Sequence, residues 1–339
     1  MAKQKTGVFL INLGTPDSTK TKDVRKYLRE FLMDWRVIDI PAVPRAALVN
    51  GIIAPFRAPK SAAEYKRVFT ERGSPLLYLT EDLGELVQEA LGDDYVVSIG
   101  MRYQNPSIKE ALEPFKNKGI KDLIVIPLYA QYASATTGST IEEVMRQMVD
   151  WQIIPNLRFI SNFTDNEKFI DAWETIARQY TDKKTYDHLV FSFHGLPERQ
   201  IKKGSCDGYC QLGSCCNTYH SKNYFCYRAQ CFETARQICK RLGIPEDGYT
   251  VCFQSRLGKD PWIQPYIDDV VDDLVENNHK DVLVFSPAFV SDCLETTVEI
   301  GMEYKEEFIE KGGESWTLVE SLNTHPQWVE CLVDMIKNP

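Results

Sequence analysis

The 339-residue chain contains no uninterrupted apolar run approaching the ~18 to 20 residues that a membrane-spanning helix needs, so any membrane contact expected of it is peripheral. It also lacks a block of Lys or Arg. Its 39 basic residues stand against 48 acidic ones, a net charge of −9, and a general nucleic-acid binder is excluded because phosphate contact needs a concentrated cationic surface. The opening Met-Ala-Lys-Gln-Lys-Thr leads straight into Gly7 to Leu13, too short for a secretory core and without a small-residue cleavage site. A cytoplasmic location is the expectation. In that reducing setting the ten cysteines are not expected to form a disulfide framework, which leaves metal ligation or inert burial.

What is present is a hydrophobic fraction of 43%, enough for a large core, and a length that suits two domains. Short Val/Ile/Leu/Phe runs at 7–13, 95–101, 122–128, 188–193, 249–254 and 281–286 read as buried strands. Amphipathic segments lie between them, with apolar stripes at Val24, Tyr27, Leu28, Phe31 and Leu32 and at Leu83, Leu86, Val87, Ala90 and Leu91. Such alternation predicts an α/β fold with parallel sheets covered on both faces.

The strands repeat as an ordered set. Gly7 to Pro16 echoes His188 to Pro197, each ending in Gly-x-Pro; Tyr95 to Arg102 echoes Tyr249 to Arg256; Lys121 to Pro127 echoes Lys280 to Pro287. Two similar halves meeting near residue 163 are expected. In open α/β sheets the ligand crevice lies beyond the carboxyl ends of the strands, which selects Asn12 to Pro16, Arg102 and Tyr103, Gln131 to Ser139, His194 to Pro197, Gln254 to Arg256 and Phe289 to Glu299.

Three features there carry chemistry. His194 ends a strand before a Gly-Leu-Pro turn, where an imidazole can exchange protons near neutrality. His188, His220, His279 and His325 lack that setting. Asp292, Glu295, Glu299 and Glu303 are three, four and four residues apart, on one helical face that opens at the crevice and could pass protons or a divalent ion. Finally, Cys206, Cys210, Cys215, Cys216, Cys226 and Cys231 fall within 26 residues of a segment poor in apolar core. Their spacing is not a regular zinc-ribbon pattern, and zinc and iron–sulfur both remain open. Cys239, Cys252, Cys293 and Cys331 read as packing residues. The apolar segment 41–56, broken by Pro and Gly, reads as a core helix with loops, a lip for an apolar ligand, or a membrane-resting patch.

With these residues in view the chain resembles the ferrochelatases, which insert ferrous iron into a porphyrin at the end of haem synthesis. The matching stretches are Leu10 to Pro16, Lys60 to Tyr65, Gly73 to Leu76, Met101 to Tyr103, Gln131-Tyr132 with Thr136 to Ser139, Phe193 to Pro197, Phe253 to Arg256 with Pro261-Trp262, and Ser291 to Thr296. They run in order along nearly the whole chain. The resemblance implies two Rossmann-like, doubly wound halves of chelatase type with the active-site cleft between them. The first comprises 1–163 plus a C-terminal helix at 324–339; the second, 164–323, includes a cysteine-rich insert at 204–231. By motif match His194 is the essential histidine and Glu295 its partner carboxylate. Asp292 and Glu299 share the acidic helix, which the family often distorts with a π-turn. Leu13, Arg102, Tyr103, Ser134, Thr136, Trp262 and Phe289 correspond to positions that line or support the porphyrin pocket.

The departures are informative. Cys293 replaces a His found in some members and is not counted as a ligand. Leu13 stands where members acting on coproporphyrin commonly carry Tyr, so protoporphyrin IX is the expected substrate, with ferrous iron. Some microbial members carry a [2Fe–2S] cluster on an internal segment of this kind. Its expected ligands are four of Cys206, Cys210, Cys215, Cys216 and Cys226, with Cys206 in reserve; Cys231 aligns with a cysteine of cluster-free relatives. The rival readings are a coproporphyrin or other tetrapyrrole chelatase and, in another class, a non-catalytic haem or iron–sulfur sensor.

Overall fold

A computed structural model describes residues 4–256, 258 and 260–338. Residues 1–3 and 339, the outer limits of the expected ranges 1–163 and 324–339, lie outside the described residues. In chain order the elements are β1 (Thr6–Gly14), α1 (Thr21–Met33), α2 (Ala42–Leu48), α3 (Ala54–Val68), α4 (Pro75–Leu91), β2 (Tyr95–Tyr103), α5 (Ile108–Lys118), β3 (Asp122–Pro127), α6 (Ser139–Met148), β4 (Asn156–Phe159) and α7 (Glu167–Thr181). Then come β5 (His188–His194), α8 (Glu198–Lys203), α9 (Tyr227–Leu242), β6 (Tyr249–Gln254), α10 (Ile267–Glu276), β7 (Asp281–Phe285), α11 (Tyr304–Glu310), β8 (Ser315–Leu318) and α12 (Pro326–Lys337).

The chain divides into two compact units. The first holds the residues up to Tyr129, Ser134–Asn162 and the chain from Val329 onward; the second holds Ala130–Ala133 and Phe163–Trp328. Each contains one four-stranded, all-parallel sheet, in the order β2-β1-β3-β4 and β6-β5-β7-β8. The two orders are the same, which is the repeat read from the sequence. β1 and β5 are central and buried almost throughout, as continuous apolar runs must be when helices cover both faces. Phe9, Ile11, Leu123 and Val125 pack with Leu112 and Phe115 of α5 in the first unit, and Val190, Val282 and Val284 pack with Val271, Leu274 and Phe308 in the second.

Four of the six expected strands lie within the observed ones, while 122–128 and 281–286 end one residue earlier. β4 and β8 carry no such signature. Both are four-residue edge strands, Asn-Leu-Arg-Phe and Ser-Trp-Thr-Leu, with one neighbour each and little continuous apolar character. In the first unit Arg158 of β4 donates to the Met335 carbonyl at 2.9 Å, fixing the last turns of α12 beside that edge.

The segment 41–56 is helical from Ala42 onward and contains no internal loop: α2 runs into a π turn at Val49–Ile53 and on into α3, with Pro55 accommodated in the first turn of that helix. One face, with Val49, Ala54 and Ala58, is buried, while Val43, Ile52 and Phe56 are 81%, 57% and 77% exposed. None of the described helices is long and apolar enough to cross a membrane.

Candidate functional site

Strand order selects the site. In the second unit the chain leaves β5 for β6 on one side and then crosses to β7 and β8 on the other, so the order reverses between β5 and β7. Beyond the carboxyl ends of such a pair lies the natural ligand crevice of an open parallel sheet. His194 is the last residue of β5, and the segment following β7 carries Phe289, Asp292, Glu295 and Glu299. The equivalent point of the first unit, between β1 and β3, carries Leu13 and, after β3, Ser134 and Thr136.

His194 is held by a tight turn. Its Nδ1 lies 2.7 Å from the Gly195 carbonyl, and the Gly195 N–H donates to the Gln254 carbonyl of β6 at 2.8 Å. A Cβ on Gly195 would meet that same carbonyl oxygen at 2.8 Å and the Trp262 ring at 3.1 Å, so glycine is required by close approach. Trp262 is accordingly buried behind the histidine turn, where Pro197 and Trp262 form an antiparallel bridge. It supports the turn, whereas Phe289 is half-buried at the sheet's end.

The acidic stripe begins as a π-helix, Glu295–Glu303, closed by the Tyr304 N–H donating to the Glu299 carbonyl five residues back. Gly301 permits the widened turn, because a Cβ there would lie 3.0 Å from the Thr296 carbonyl. The wider turn alters the α-helical phasing assumed from the spacing, in which 3.6 residues complete a turn. Burial pushes the Glu299 carboxyl up to about 7, against the Ser255 hydroxyl donated to it, and the charges of Glu295, Glu303 and Asp268 add to the rise. It therefore exchanges its proton in the neutral range. Asp292 differs. Its oxygens accept from Asn323 Nδ2 at 2.7 Å, Thr296 Oγ1 at 3.2 Å and the Ser321 N–H at 3.3 Å, while its own N–H donates to Asn323 Oδ1. That carboxylate anchors the loop from which the stripe departs. Cys293 is buried beside Glu295, and burial pushes its thiol far up.

In the first unit Arg102 and Tyr103 end β2. The Arg102 guanidinium donates to Asp34 at 2.6 Å and to Ser139 Oγ at 2.6 Å, and the fully buried Tyr103 hydroxyl donates to the same Asp34 oxygen at 2.9 Å. Tyr103 thus supports rather than lines a surface. Ser134 Oγ accepts from Arg36 at 2.8 Å, and Thr136 is half-buried in the π turn Ser134–Gly138. Sequence reasoning missed Asp34 and Arg36, and it assigned no role to Ser139 or Ser255 within the stretches it selected. Asp34 sits just past an amphipathic helix, where an acidic residue signals only a solvated end. Ser255 lay within a selected stretch but gave no sign of its partner.

Between α8 and α9 all five candidate cluster cysteines are free thiols. Cys215 Sγ lies 3.9 Å from Cys216 Sγ, with Cys210 next to Cys215 and Cys226 next to Cys216. The Cys226 thiol is held below its ordinary range, first by Cys216 and, against burial, by the Ala229 and Arg228 amides that open α9. Cys206 is exposed and outside this chain of contacts, although it lines the same cavity of about 370 Å³ with Cys210, Cys215 and Cys226. Among the described residues no three His, Cys, Asp or Glu side chains converge on one point that could hold a single metal ion. The sulfurs are neighbours pair by pair. Cys231, Cys239, Cys252, Cys293 and Cys331 are buried.

Comparison with known proteins agrees with this architecture. A family model described as ferrochelatase matches residues 5–339. A ferrochelatase of Legionella pneumophila (strain Lens) is 43% identical over 332 residues, covering 98% of each chain. One of Coxiella burnetii (strain Dugway 5J108-111) is 42% identical over 334 residues, covering 98% of this chain and 93% of its own. Among solved structures, SirB from Bacillus subtilis with Fe3+ superposes with a TM-score of 0.53 at 12% identity, over 98% of this chain and 94% of its own. The sirohydrochlorin chelatase SirB of Bacillus subtilis subspecies spizizenii, in complex with cobalt, gives 0.51 at 11%, over 99% and 97%. At such identities these two establish the fold alone. The whole-length match and the two close relatives establish more: the chain belongs to the ferrochelatase family and is a metal chelatase.

Proposed function

We propose that the enzyme inserts Fe2+ into protoporphyrin IX to form protohaem with release of two protons, the terminal step of haem biosynthesis. The observation that carries this reading is that His194 ends β5 and Glu295 follows β7, the two adjacent strands that flank the switch point of one sheet. Metalation exchanges two pyrrole N–H protons for one divalent ion, so the site must accept protons in succession. In this reading His194 and Glu295 take them and Glu299, whose carboxyl titrates near neutrality, carries them onward. Asp292 holds the head of that path in place. Leu13, Ser134, Thr136 and Phe289 are the proposed porphyrin-facing positions, with Arg102, Tyr103 and Trp262 behind them, and Leu13 in place of Tyr supports protoporphyrin over coproporphyrin.

The test is an anaerobic assay of the purified protein with ferrous iron and protoporphyrin IX. Haem formation that disappears in His194→Ala is the expected result. Turnover of coproporphyrin alone would replace the substrate, and no turnover of any tetrapyrrole would favour the sensor reading.

The thiols Cys210, Cys215, Cys216 and Cys226 are the proposed ligands of a [2Fe–2S] cluster, in which each iron takes two thiolates; the Cys215 and Cys216 sulfurs lie 3.9 Å apart within this set. When bound, the cluster would supply one-electron chemistry or a structural brace. Peripheral membrane contact is the further proposal for the exposed Val43, Ile52 and Phe56. Charges placed at Ile52 and Phe56 are expected to abolish liposome binding, and unchanged binding would dismiss the contact.

A further inference from the structure

The carbonyl of His194 poses an accounting question. The Gly195 N–H points to β6, where it meets the Gln254 carbonyl. Across the trans peptide the His194 carbonyl therefore faces the other way, toward the β7 side of β5. The pairing with β7 has already ended there, at Phe191 opposite Phe285. A buried carbonyl left without a partner is costly. The partner it has is Tyr227, whose hydroxyl donates to the His194 carbonyl at 2.8 Å from a buried ring.

The peptide plane joining His194 to Gly195 is thus clamped from both sides, by a β6 carbonyl and by a tyrosine hydroxyl. That plane also fixes the Gly195 turn to which the imidazole Nδ1 is bonded. Tyr227 is the first residue of α9 and directly follows Cys226, its N-cap. Cys226 in turn lies beside Cys216 and is joined to Tyr227 by the next peptide bond. One turn along on the same helix, the fully buried Cys231 neighbours Tyr227.

We propose that Tyr227 is a positioning residue for His194, and that through the covalent step from Cys226 to Tyr227 the cysteine segment sets the geometry of the histidine. The inference rests on His194 being the proton-handling group of the proposed function. Whatever Cys226 holds fixes the first turn of α9, the first turn fixes the Tyr227 hydroxyl, and the hydroxyl fixes the peptide that carries the imidazole. A change of state in the cysteine segment is then felt at the site without any cysteine touching substrate.

The experiment uses the full-length enzyme as isolated. Tyr227→Phe removes one oxygen and keeps the ring. It is expected to lower kcat roughly tenfold, the scale of one lost hydrogen bond, with KM for porphyrin unchanged. The imidazole NMR signal of His194, assigned by its loss in His194→Ala, should shift. A fall in thermal stability with kcat and the imidazole signal unchanged would show an ordinary packing role and overturn the proposal. The coupling is read from a double-mutant cycle with Cys226→Ser: its effect on kcat and on the imidazole signal should vanish in the Tyr227→Phe background. Additive effects, or no effect of Cys226→Ser, would overturn the link; should that variant fail to fold, Cys216→Ser takes its place. Full activity in His194→Ala would instead strike the functional reading beneath the inference, whereas full activity in Tyr227→Phe beside an inactive His194→Ala would strike the inference alone.

Discussion

Ser255 donates its hydroxyl to both carboxylate oxygens of Glu299 at 2.7 Å, from a backbone held at φ +64°, a conformation that non-glycine residues rarely adopt. Such strain persists only where the surroundings enforce it, and here the enforced position delivers a donor to a buried acid. Removing the donor in Ser255→Ala should raise the Glu299 value further and move the corresponding limb of the pH–rate profile to higher pH. An unmoved limb would separate Glu299 from the proton path.

The same carboxyl makes stability depend on pH. Its folded value of about 7 lies above the ordinary 4.5, so the protonated form is the one favoured by folding. Its contribution is present in full below pH ~4.5 and is lost as the pH rises through 7, amounting to about 3 kcal/mol. Glu299→Gln should therefore gain on the parent by about that much between pH 4.5 and pH 8, as read from denaturant unfolding of both proteins. A constant difference across that range would contradict the burial argument.

Asp34 accepts from Arg102, Tyr103 and Ser139 together and is itself buried. Replacing it with Ala leaves a guanidinium and two hydroxyls without their acceptor, which costs about 3 to 5 kcal/mol for a buried pair broken on one side. A shift of the denaturant midpoint worth less than about 1 kcal/mol would show that water replaces the carboxylate.

Gly195→Ala places a methyl group 2.8 Å from the Gln254 carbonyl, so the histidine turn must move. Loss of most metalation activity with a modest stability cost, about 1 to 3 kcal/mol, is expected. Activity equal to the parent's would show that the turn tolerates displacement.

For the cysteine segment, visible absorbance and iron content of the isolated protein should be lost in Ser variants of Cys210, Cys215, Cys216 and Cys226 and retained in Cys206→Ser. Stoichiometric zinc with no visible absorbance would reject the cluster.

The central strands were legible because a parallel sheet covered on both faces leaves an unbroken apolar run, as at Leu189 to Phe193. Position at a strand end then pointed to His194, and the acidic spacing offered the group from which the family resemblance took Glu295. β4 and β8 escaped notice because an edge strand is constrained on one side only. Tyr227 and Asp34 were invisible for another reason: each acts on a residue 33 or 68 positions away, through one side-chain atom, and local sequence records no such meeting. The π turn at Val49–Ile53 likewise left no periodic trace.

The third strand of each sheet is followed by a π segment, Ser134–Gly138 in the first unit and Glu295–Glu303 in the second. Only the second is armed with carboxylates; its counterpart carries hydroxyls and a glycine. The irregular winding is therefore common to both half-folds and does not depend on the carboxylates. The two units thus share a frame and differ in what they mount on it.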